Sequence, residues 1–411
     1  MKHFTLASFF VIVGVLSIFS ILYGIPQQLF SASHAPFEAP AELPDVVGAV
    51  IEARQAAIVE EGNAVPFGDE GQINVLLIGL DARKGWDSPH CDAIHMLSLD
   101  IENWTMQITS VPRGTYAYIP PGTYGETQYY LANACALAGL DYGIERIEAV
   151  VGVRSDYVVT VGFSQVLGIL RIFDLPTTEG LQWLRHRQSY AIGDPQRSHN
   201  QAVFMKDLVL GHLSKFRGLF SVPMEYLLYT IVDTDMDFAT SRALLNGFLD
   251  ASIDARPDDI ALTMKPWYAT VDYHFDAENS EAQLDERLDI IRPFLSDEDL
   301  SGRTLSSVQG ELIMYLENVL VTGKYEQALD QQLWLQVEDA DMRESLHYQF
   351  VVAHYLDLLV IDEEEAIIYL TDYILETQIF GLSDYEHMAR ELLEEAVYKE
   401  EELSEEFAVA E

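Results

Sequence analysis

Two carboxylates stand at the ends of predicted strands in the first half of the chain. Asp81 follows the apolar run Ile73–Gly79 within two residues, and Asp92 stands just before a second apolar run. Ligands of open α/β sheets usually bind at the carboxyl ends of strands. Two carboxylates at such a rim suit Mg²⁺, which takes its remaining oxygen ligands from water and phosphates. The pattern therefore allows a metal site at Asp81 and Asp92, but ordinary loop carboxylates at strand ends are the commoner case.

Arginines cluster in the same part of the sequence. Arg83 follows Asp81 by two residues, and Arg113 follows Pro112, which has no N–H and ends the third predicted strand. A further group lies within seventeen residues: Arg185, Arg187, Arg197 and Gln201. Guanidinium groups bind phosphates through several hydrogen bonds, and a helix that begins near Asn200 would add backbone donors. A short arginine cluster is usually a solvated basic face, but the strongly acidic surroundings strengthen the case for an anion site, and both interpretations stay open.

Two further motifs involve the cysteines. His90, Cys91, Asp92 and His95 suggest a zinc site, but on a regular strand Cys91 and His95 would face one way and His90 and Asp92 the other. This alternation argues against zinc. Cys91 and Cys135 are the only cysteines, so in an exported chain they form either one disulfide or a pair of buried free thiols.

Charge divides the chain into two parts. The 411 residues carry 24 Lys+Arg and 66 Asp+Glu, a net charge of −42. Residues 271–411 hold 36 of the acidic residues and 7 of the basic ones, whereas residues 71–217 hold 12 of the cations. So large an acidic excess excludes a general nucleic-acid binder, because it repels phosphate backbones. A hydrophobic content of 49% excludes intrinsic disorder.

The N-terminal residues predict a membrane anchor. Residues 4–25 contain no charge, and a helix of roughly 20 apolar residues spans a bilayer. Lys2 precedes the span, which favours residues 1–25 as a cytoplasmic N-terminus and transmembrane helix. The alternative is a signal peptide cleaved near Ser31-Ala32-Ser33. Residues 26–70 are rich in Pro and Ala and predict a stalk with one short helix over Val46–Glu61.

The positions of these groups depend on an α/β domain over residues 71–272. Strands are predicted at Ile73–Gly79, Ala93–Leu99, Met106–Val111 and Tyr157–Val161. Helices are predicted at Leu131–Leu140, Ile144–Val153, from 177 to 186 and at Gln201–Phe216. Strands that alternate with helices imply a central sheet with helices on its faces.

Residues 273–411 predict an acidic extension that is all helical. Its five amphipathic segments are Gln309–Leu320, Tyr325–Val337, Glu344–Leu359, Glu364–Thr377 and Tyr385–Val397. No period repeats among them, so we interpret the extension as a small helical bundle.

Taken in order, the motifs of residues 72–270 resemble the LytR-CpsA-Psr family of membrane-anchored cell-wall enzymes. The matching stretches are Val75–Arg83, Cys91–Ile94, Ser110–Thr115, Leu131–Ala134, Arg185–Arg187, Gly193–Arg197 and Gln201. The resemblance implies an α/β/α sandwich, with a central mixed sheet enclosing an apolar channel for a lipid. It also implies an enzyme on the extracellular face of the membrane.

The implied reaction transfers a glycopolymer from a polyprenyl-pyrophosphate lipid to peptidoglycan or another wall polymer, releasing polyprenyl phosphate. Asp81 and Asp92 correspond to the ligands of Mg²⁺, the implied cofactor, and together with Arg113 to the catalytic residues. The pyrophosphate-binding positions are Arg83, Arg113, Arg185, Arg187, Arg197 and Gln201. The helical extension is expected to recruit protein partners.

This chain departs from the family pattern, which also has Ser at the position of Cys91 and a Gly-Gly-Val segment that is absent near Ile172–Leu175, and three departures change the charge expected at the rim. The family usually has Arg where this chain has His90, Asp where it has Gly114, and Arg where it has Asn200. The departures motivate two alternatives. One is a non-catalytic protein that binds pyrophosphate lipids, and the other is a hydrolase of the same fold that cleaves them with water.

Overall fold

The computed structural model describes residues 46–62, 71–81, 89–120, 129–217, 221–294 and 304–409. The predicted anchor over 1–25 and most of the predicted stalk lie outside these ranges. Among the residues described, none of the helices has both the length and the apolar character that crossing a bilayer requires.

In the part of the chain that the structure describes, six strands form one mixed sheet. They are β1 (Gln72–Asp81), β2 (His90–Asp100), β3 (Thr105–Ser110), β4 (Tyr157–Gly162), β5 (Asp233–Thr234) and β6 (Ile260–Met264). The spatial order is β5-β4-β1-β2-β3-β6, with β1 antiparallel to β2 and parallel to β4. The sheet confirms the predicted α/β class and places the end of β1 beside the start of β2.

Nine α-helices lie in the first part of the described chain, and several of them cover the two faces of the sheet. They are α1 (Val46–Gly62), α2 (Leu131–Ala138), α3 (Leu140–Val151), α4 (Phe163–Ile172), α5 (Thr177–Arg185), α6 (Gly193–His212), α7 (Ser221–Ile231), α8 (Phe238–Asp250) and α9 (Ser280–Ile291). Leu76 and Ile78 of β1 pack with α2 and α3, whereas Ile73 and Val75 pack with α6 and α8. Opposite faces of one strand therefore serve two cores, as a three-layer α/β/α sandwich requires.

A bulge in β2 changes which way its side chains face. The pairing of Gly79 with Ala93 is followed by Leu80 with Cys91, so Asp92 is the extra residue. Asp92, Ala93 and His95 consequently lie on one face, while Cys91 packs in the core on the other. The strict alternation that we expected, with Cys91 and His95 on one face, is wrong because of this bulge.

Helix α6 begins at Gly193 rather than near Gln201. Pro195 obscured this start, yet proline is tolerated in the first turn of a helix, where its missing N–H has no intrahelical partner. The expected helix N-terminus near Asn200 is therefore wrong. Arg197 and Gln201 instead lie one turn apart on the same helix.

The C-terminal region is helical as predicted. Its helices are α10 (Leu305–Thr322), α11 (Glu326–Asp330), α12 (Ala340–Ile361), α13 (Glu363–Phe380) and α14 (Ser383–Val409). The expected single helix over Tyr325–Val337 is wrong: α11 ends at Asp330 and a short 3₁₀ turn follows at Leu333–Gln336. Gln332, with φ of 48°, lies in the left-handed region between them.

Helix α1, predicted within the stalk, is packed into the structure. Ile51 and Ile58 are 4% and 2% exposed and share a core with α12, α13 and α14. Arg54 donates to both carboxylate oxygens of Asp372 on α13, at 2.7 and 2.8 Å. Residues 46–62 are thus part of the same compact unit as the extension, while the domain boundaries at 70 and 272 stay predictions.

Candidate functional site

Three arginines converge on two carboxylates at the rim where β1 ends and β2 begins. Arg113 donates to Asp92 from the loop after β3, and its Nε lies 3.6 Å from Asp194. Arg197 on α6 donates to the backbone carbonyl of Asp92 at 2.9 Å and lies 3.5 Å from Asp194. Arg187 reaches Asp194 at 3.2 Å. The predicted clustering of these arginines is present in the structure.

Asp194 is the site residue that sequence reasoning did not single out. It lies in the first turn of α6, where a negative charge is stabilised by the helix dipole and by free backbone N–H groups. The side chain faces Gly114, where an added Cβ would lie 3.3 Å from an oxygen of Asp194. The sequence Gly193-Asp194-Pro195 is typical of the first turn of a helix and could have indicated this role. We expected the helix to begin later, near Gln201, and therefore did not single out Asp194.

Burial and the charges of their neighbours change the pKa values of two of these arginines. Burial, followed by the charge of Arg113, lowers the pKa of Arg197 to about 10, even though Asp92 and Asp194 oppose the change. Burial also disfavours charged Arg113, but Asp92 outweighs that effect by charge and hydrogen bond and raises the pKa of Arg113. Both groups remain cations at neutral pH. The buried Nε of Arg197 has no hydrogen-bond partner among the described residues, so a donor remains for a ligand.

An apolar cavity of about 210 Å³ leads away from this rim between the sheet and helices α4, α5 and α6. Its walls include Phe163, Val166, Ile169, Leu170, Leu181, Leu184, Phe204, Met205 and Leu208. Asp92, Arg185 and Arg197 also line it. A molecule with an apolar tail and an anionic head matches this distribution of side chains.

His95 and Gln201 lie in the cavity wall, and a hydrogen bond between them orients both side chains. The amide nitrogen of Gln201 donates to the carbonyl of Leu184 at 2.9 Å, so its Oε1 is left to accept from Nε2 of His95 at 3.2 Å. Nδ1 of His95 then accepts from the Ser110 hydroxyl at 3.2 Å. Burial lowers the pKa of His95 to about 4, and the imidazole is neutral. Both ends of the Gln201 amide are engaged, and its contact with pyrophosphate stays a prediction.

The remaining predicted arginines lie at different distances from the cluster. Arg185 is exposed at the cavity and stacks on the Phe163 ring at 4.3 Å. No carboxylate of the described residues lies within 4 Å of it. Arg83 falls in 82–88, outside the described residues.

The carboxylates Asp81 and Asp92 lie on neighbouring strands, and their binding of Mg²⁺ stays a prediction. Asp81 is 4% exposed and pairs with His90, next but one to Asp92 on the neighbouring strand. Mg²⁺ takes one or two protein carboxylates and completes its shell with water and phosphates. Within the described part of the chain, no group of three or more His, Cys, Asp or Glu residues could hold a metal by protein ligands alone.

The two cysteines and Asn200, which departs from the family pattern, each have a structural partner. Cys91 and Cys135 form a disulfide with Cα atoms 5.9 Å apart, which removes Cys91 as a zinc ligand. Asn200 is 1% exposed, donates to the Tyr190 hydroxyl at 2.8 Å and accepts from Gln196 at 2.8 Å. Asn200 thus stabilises the start of α6 and supplies no cation.

Comparison with known proteins agrees with the predicted resemblance. Residues 49–169 match the model of the LytR_cpsA_psr family. Over 134 residues the chain is 25% identical to the polyisoprenyl-teichoic acid–peptidoglycan teichoic acid transferase TagU of Bacillus cereus (strain AH820). That match covers 32% of this chain and 42% of TagU, so the chain spans less than half the length of this curated relative.

Solved structures are similar at lower identity. The crystal structure of TagV from B. subtilis superposes with a TM-score of 0.39 and 19% identity, covering 54% of this chain and 99% of TagV. A structure of TagT bound to LI-WTA gives a TM-score of 0.36 and 16% identity, covering 56% of this chain and 95% of TagT.

Proposed function

We propose that this chain, whose residues 49–169 match the LytR-CpsA-Psr family model, transfers a glycopolymer from a polyprenyl-pyrophosphate lipid to peptidoglycan or another wall polymer. One observation carries the proposal: an apolar cavity ends at guanidinium groups. An isoprenoid tail would occupy the cavity, and its pyrophosphate would lie against Arg113, Arg185 and Arg197. The transferase named TagU is a relative with a polyisoprenyl-linked substrate.

The proposed location follows from the N-terminal sequence. The uncharged segment over residues 4–25 anchors the chain in the cell membrane, with the N-terminus inside and the sheet on the extracellular face. A disulfide between Cys91 and Cys135 suits that oxidising compartment. Lipid and wall polymer would then both be within reach of the rim.

In the proposed reaction, a hydroxyl of the acceptor attacks the phosphorus that is linked to the sugar. The bond from that phosphorus to the bridging oxygen breaks, polyprenyl phosphate leaves, and the proton of the attacking hydroxyl is released to solvent. The arginines neutralise charge that builds on the phosphate oxygens, in a site that protein side chains already order. Arg113 and Arg197 are held by Asp92 and Asp194, so little reorganisation is needed when the lipid binds.

Mg²⁺ is the cofactor that we propose. Asp81 and Asp92 would hold the ion, which would add positive charge beside the pyrophosphate when bound. Arg113 keeps its contact with Asp92 and orients that carboxylate.

The test is transfer by the full chain in lipid nanodiscs, supplied with a polyprenyl-pyrophosphate glycolipid, a wall acceptor and Mg²⁺. We expect Arg113→Ala and Asp92→Ala each to lower kcat by about 100-fold or more, since each removes charge from the reacting phosphates. Arg154→Ala is the matched control, because Arg154 is an exposed arginine far along the sequence from both carboxylates. Unchanged turnover in both site variants would refute the assignment.

A second candidate function is binding without turnover. It is favoured by the partners of Arg113, whose guanidinium is engaged by Asp92 and lies beside Asp194, and by Asn200, which adds no cation to the rim. The same nanodisc sample separates the two functions. Retention of the lipid with neither transfer to an acceptor nor release of polyprenyl phosphate would favour the binding protein.

A further inference from the structure

A second and larger cavity, of about 820 Å³, lies between the helical extension and helices α1, α4 and α7. It is separate from the site at the sheet rim, because α4 forms a wall of both. Phe163, Val166 and Ile169 face the smaller cavity, whereas Gly168 and Arg171 face the larger one. Its volume is in the range of small-molecule sites.

The wall of this second cavity is mostly apolar. Its apolar side chains include Ile58, Ile172, Val222, Leu227, Ile231, Leu375, Ile379 and Leu382. They come from both the sheet domain and the extension, so the cavity exists only where the two parts meet. Such a wall binds hydrocarbon.

Most charged groups that line the cavity are already paired with a neighbour. Asp372 accepts from Arg54 and, at 3.1 Å, from the hydroxyl of Tyr226. Arg343 donates to Glu344 at 3.0 Å. Asp330 is exposed to solvent. Of the described residues that line the cavity, one half-buried cation is left after these pairs are set aside, which is Arg171.

Among the described residues, Arg171 donates only to backbone carbonyl oxygens, of Leu335 at 2.6 Å and Val337 at 3.5 Å. Within the described residues no carboxylate comes within 4 Å of its guanidinium. Burial, followed by repulsion from Arg343, lowers its pKa to about 10. Glu338 and Glu344 partly oppose this change from a greater distance. A partly buried cation with no carboxylate in direct contact is costly unless an anion accompanies it.

Glu376 and His347 lie deeper in the cavity and are neutral. Burial, followed by the charge of Glu344, raises the pKa of Glu376 to about 8. Burial lowers the pKa of His347 to about 3, although its Nδ1 is 3.8 Å from Glu376. Glu376 therefore does not add a negative charge that would repel an anion at neutral pH.

We propose that the second cavity binds an acidic amphiphile, a hydrocarbon chain whose single carboxylate or phosphate monoester head pairs with Arg171. The head lies where the extension meets α4, and the chain lies along α7 and α13. This site is independent of the glycopolymer transfer proposed above, since its lining does not include the rim arginines.

The test is photo-crosslinking of the full chain in lipid nanodiscs, with a diazirine-bearing fatty acid and a diazirine-bearing alkyl monophosphate as probes. We expect labelled peptides from α7 and α13. Labelling there should fall about tenfold or more in Arg171→Gln, because a charge-assisted contact is lost. Arg154→Gln removes an exposed arginine instead and should leave the labelling unchanged.

A second variant separates loss of the site from loss of folding. Ile379→Trp keeps all charges but fills the cavity, and it should also abolish labelling, while far-UV circular dichroism confirms the fold. Competition by unlabelled fatty acid or alkyl monophosphate identifies the preferred head group.

Three outcomes would overturn the proposal: no labelling of α7 or α13 by either probe, equal labelling in Arg171→Gln, or equal competition by a neutral alcohol of the same chain length. Labelling at the smaller cavity is read from separate peptides of α4 and α6. Failure of the transfer reaction would therefore leave this result intact.

Discussion

At the scale of single residues, the site combines charged groups that share partners with one imidazole that is kept neutral. One carboxylate oxygen of Asp194 lies between 3.2 and 3.6 Å from guanidinium nitrogens of three arginines, so the three arginines share this counter-ion. His95 is neutral because it is buried, and its hydrogen bonds to Gln201 and Ser110 suit the Nε2–H tautomer. A positive charge at His95 would lie close to the guanidinium of Arg197 and repel it.

The buried imidazole of His95 gives a pH-dependent stability. Its pKa is about 4 in the fold and 6.5 when exposed, so between these values the unfolded chain binds more protons. Stability should therefore be lost as the pH falls from 6.5 towards 4, by roughly 3 kcal/mol from this group. We expect denaturant unfolding of His95→Gln to show a smaller loss than the wild type. A pH-independent difference between the two proteins would contradict this account.

Arg197 should not be replaceable by lysine. Its guanidinium donates to the carbonyl of Asp92, approaches Asp194, and has a spare buried Nε–H, three roles that one ammonium cannot fill. We expect Arg197→Lys to weaken pyrophosphate binding about tenfold or more in calorimetry. Arg217→Lys, a change at an exposed arginine, is the control. Equal affinities in all three proteins would show that Arg197 does not bind the phosphates.

At the scale of the elements, the sheet and most helices could be predicted from apolar periodicity. The face of the sheet on which each site residue lies could not. The alternation rule assumes a regular strand, and the bulge at Asp92 brings Asp92 and His95 to the same face. Nothing in the local sequence marks that bulge, because it depends on pairing with Gly79. A Cβ at Gly79 would lie 2.8 Å from the Cβ of Ala93, which shows how close the two strands are there.

The residues of the anion cluster were predictable, whereas their pairing was not. Arginine at positions 113, 187 and 197 is visible as a local excess of cations in an acidic chain. Which carboxylate each one contacts depends on where α6 begins, and Pro195 made that start appear later than it is. Asp194 was missed for this reason.

The disulfide links two elements behind the site. Cys91 at the start of β2 is bonded to Cys135 on α2, and Gly143 of α3 leaves room for the bond, since a Cβ there would lie 2.3 Å from the Cys135 sulfur. A bridge between cysteines 44 residues apart typically contributes about 3–4 kcal/mol. We expect the Cys91→Ala/Cys135→Ala double variant to lose that much in denaturant unfolding. The same stability in the variant and the oxidised wild type would contradict the role of the bond.

At the scale of the whole molecule, the acidic charge and the site occupy different regions. Residues 271–411 hold most of the net charge, while the rim arginines lie on the sheet domain. Exposed charges further apart than about 10 Å are largely screened at physiological salt, so the acidic extension and the anion site are compatible.

The extension is also a structural partner of the sheet domain. Ile51 and Ile58 of α1 are buried in a core that α12 to α14 help to form, and Gln336 donates to Ser164 on α4 at 2.9 Å. Removing residues 304–411 would expose both isoleucines, at a cost of roughly 3–6 kcal/mol. We expect the truncated chain to melt at least about 10 °C lower and to self-associate in light scattering. A monodisperse truncated chain with unchanged melting would show that the two parts are independent.

The most direct test of the central claim is a crystal structure of the protein with a non-hydrolysable polyprenyl-pyrophosphate analogue. We expect the isoprenoid tail between α4 and α6, in contact with Val166 and Phe204, and the pyrophosphate within hydrogen-bonding distance of Arg113 and Arg197. A tail bound elsewhere, or a pyrophosphate that contacts neither arginine, would contradict the account.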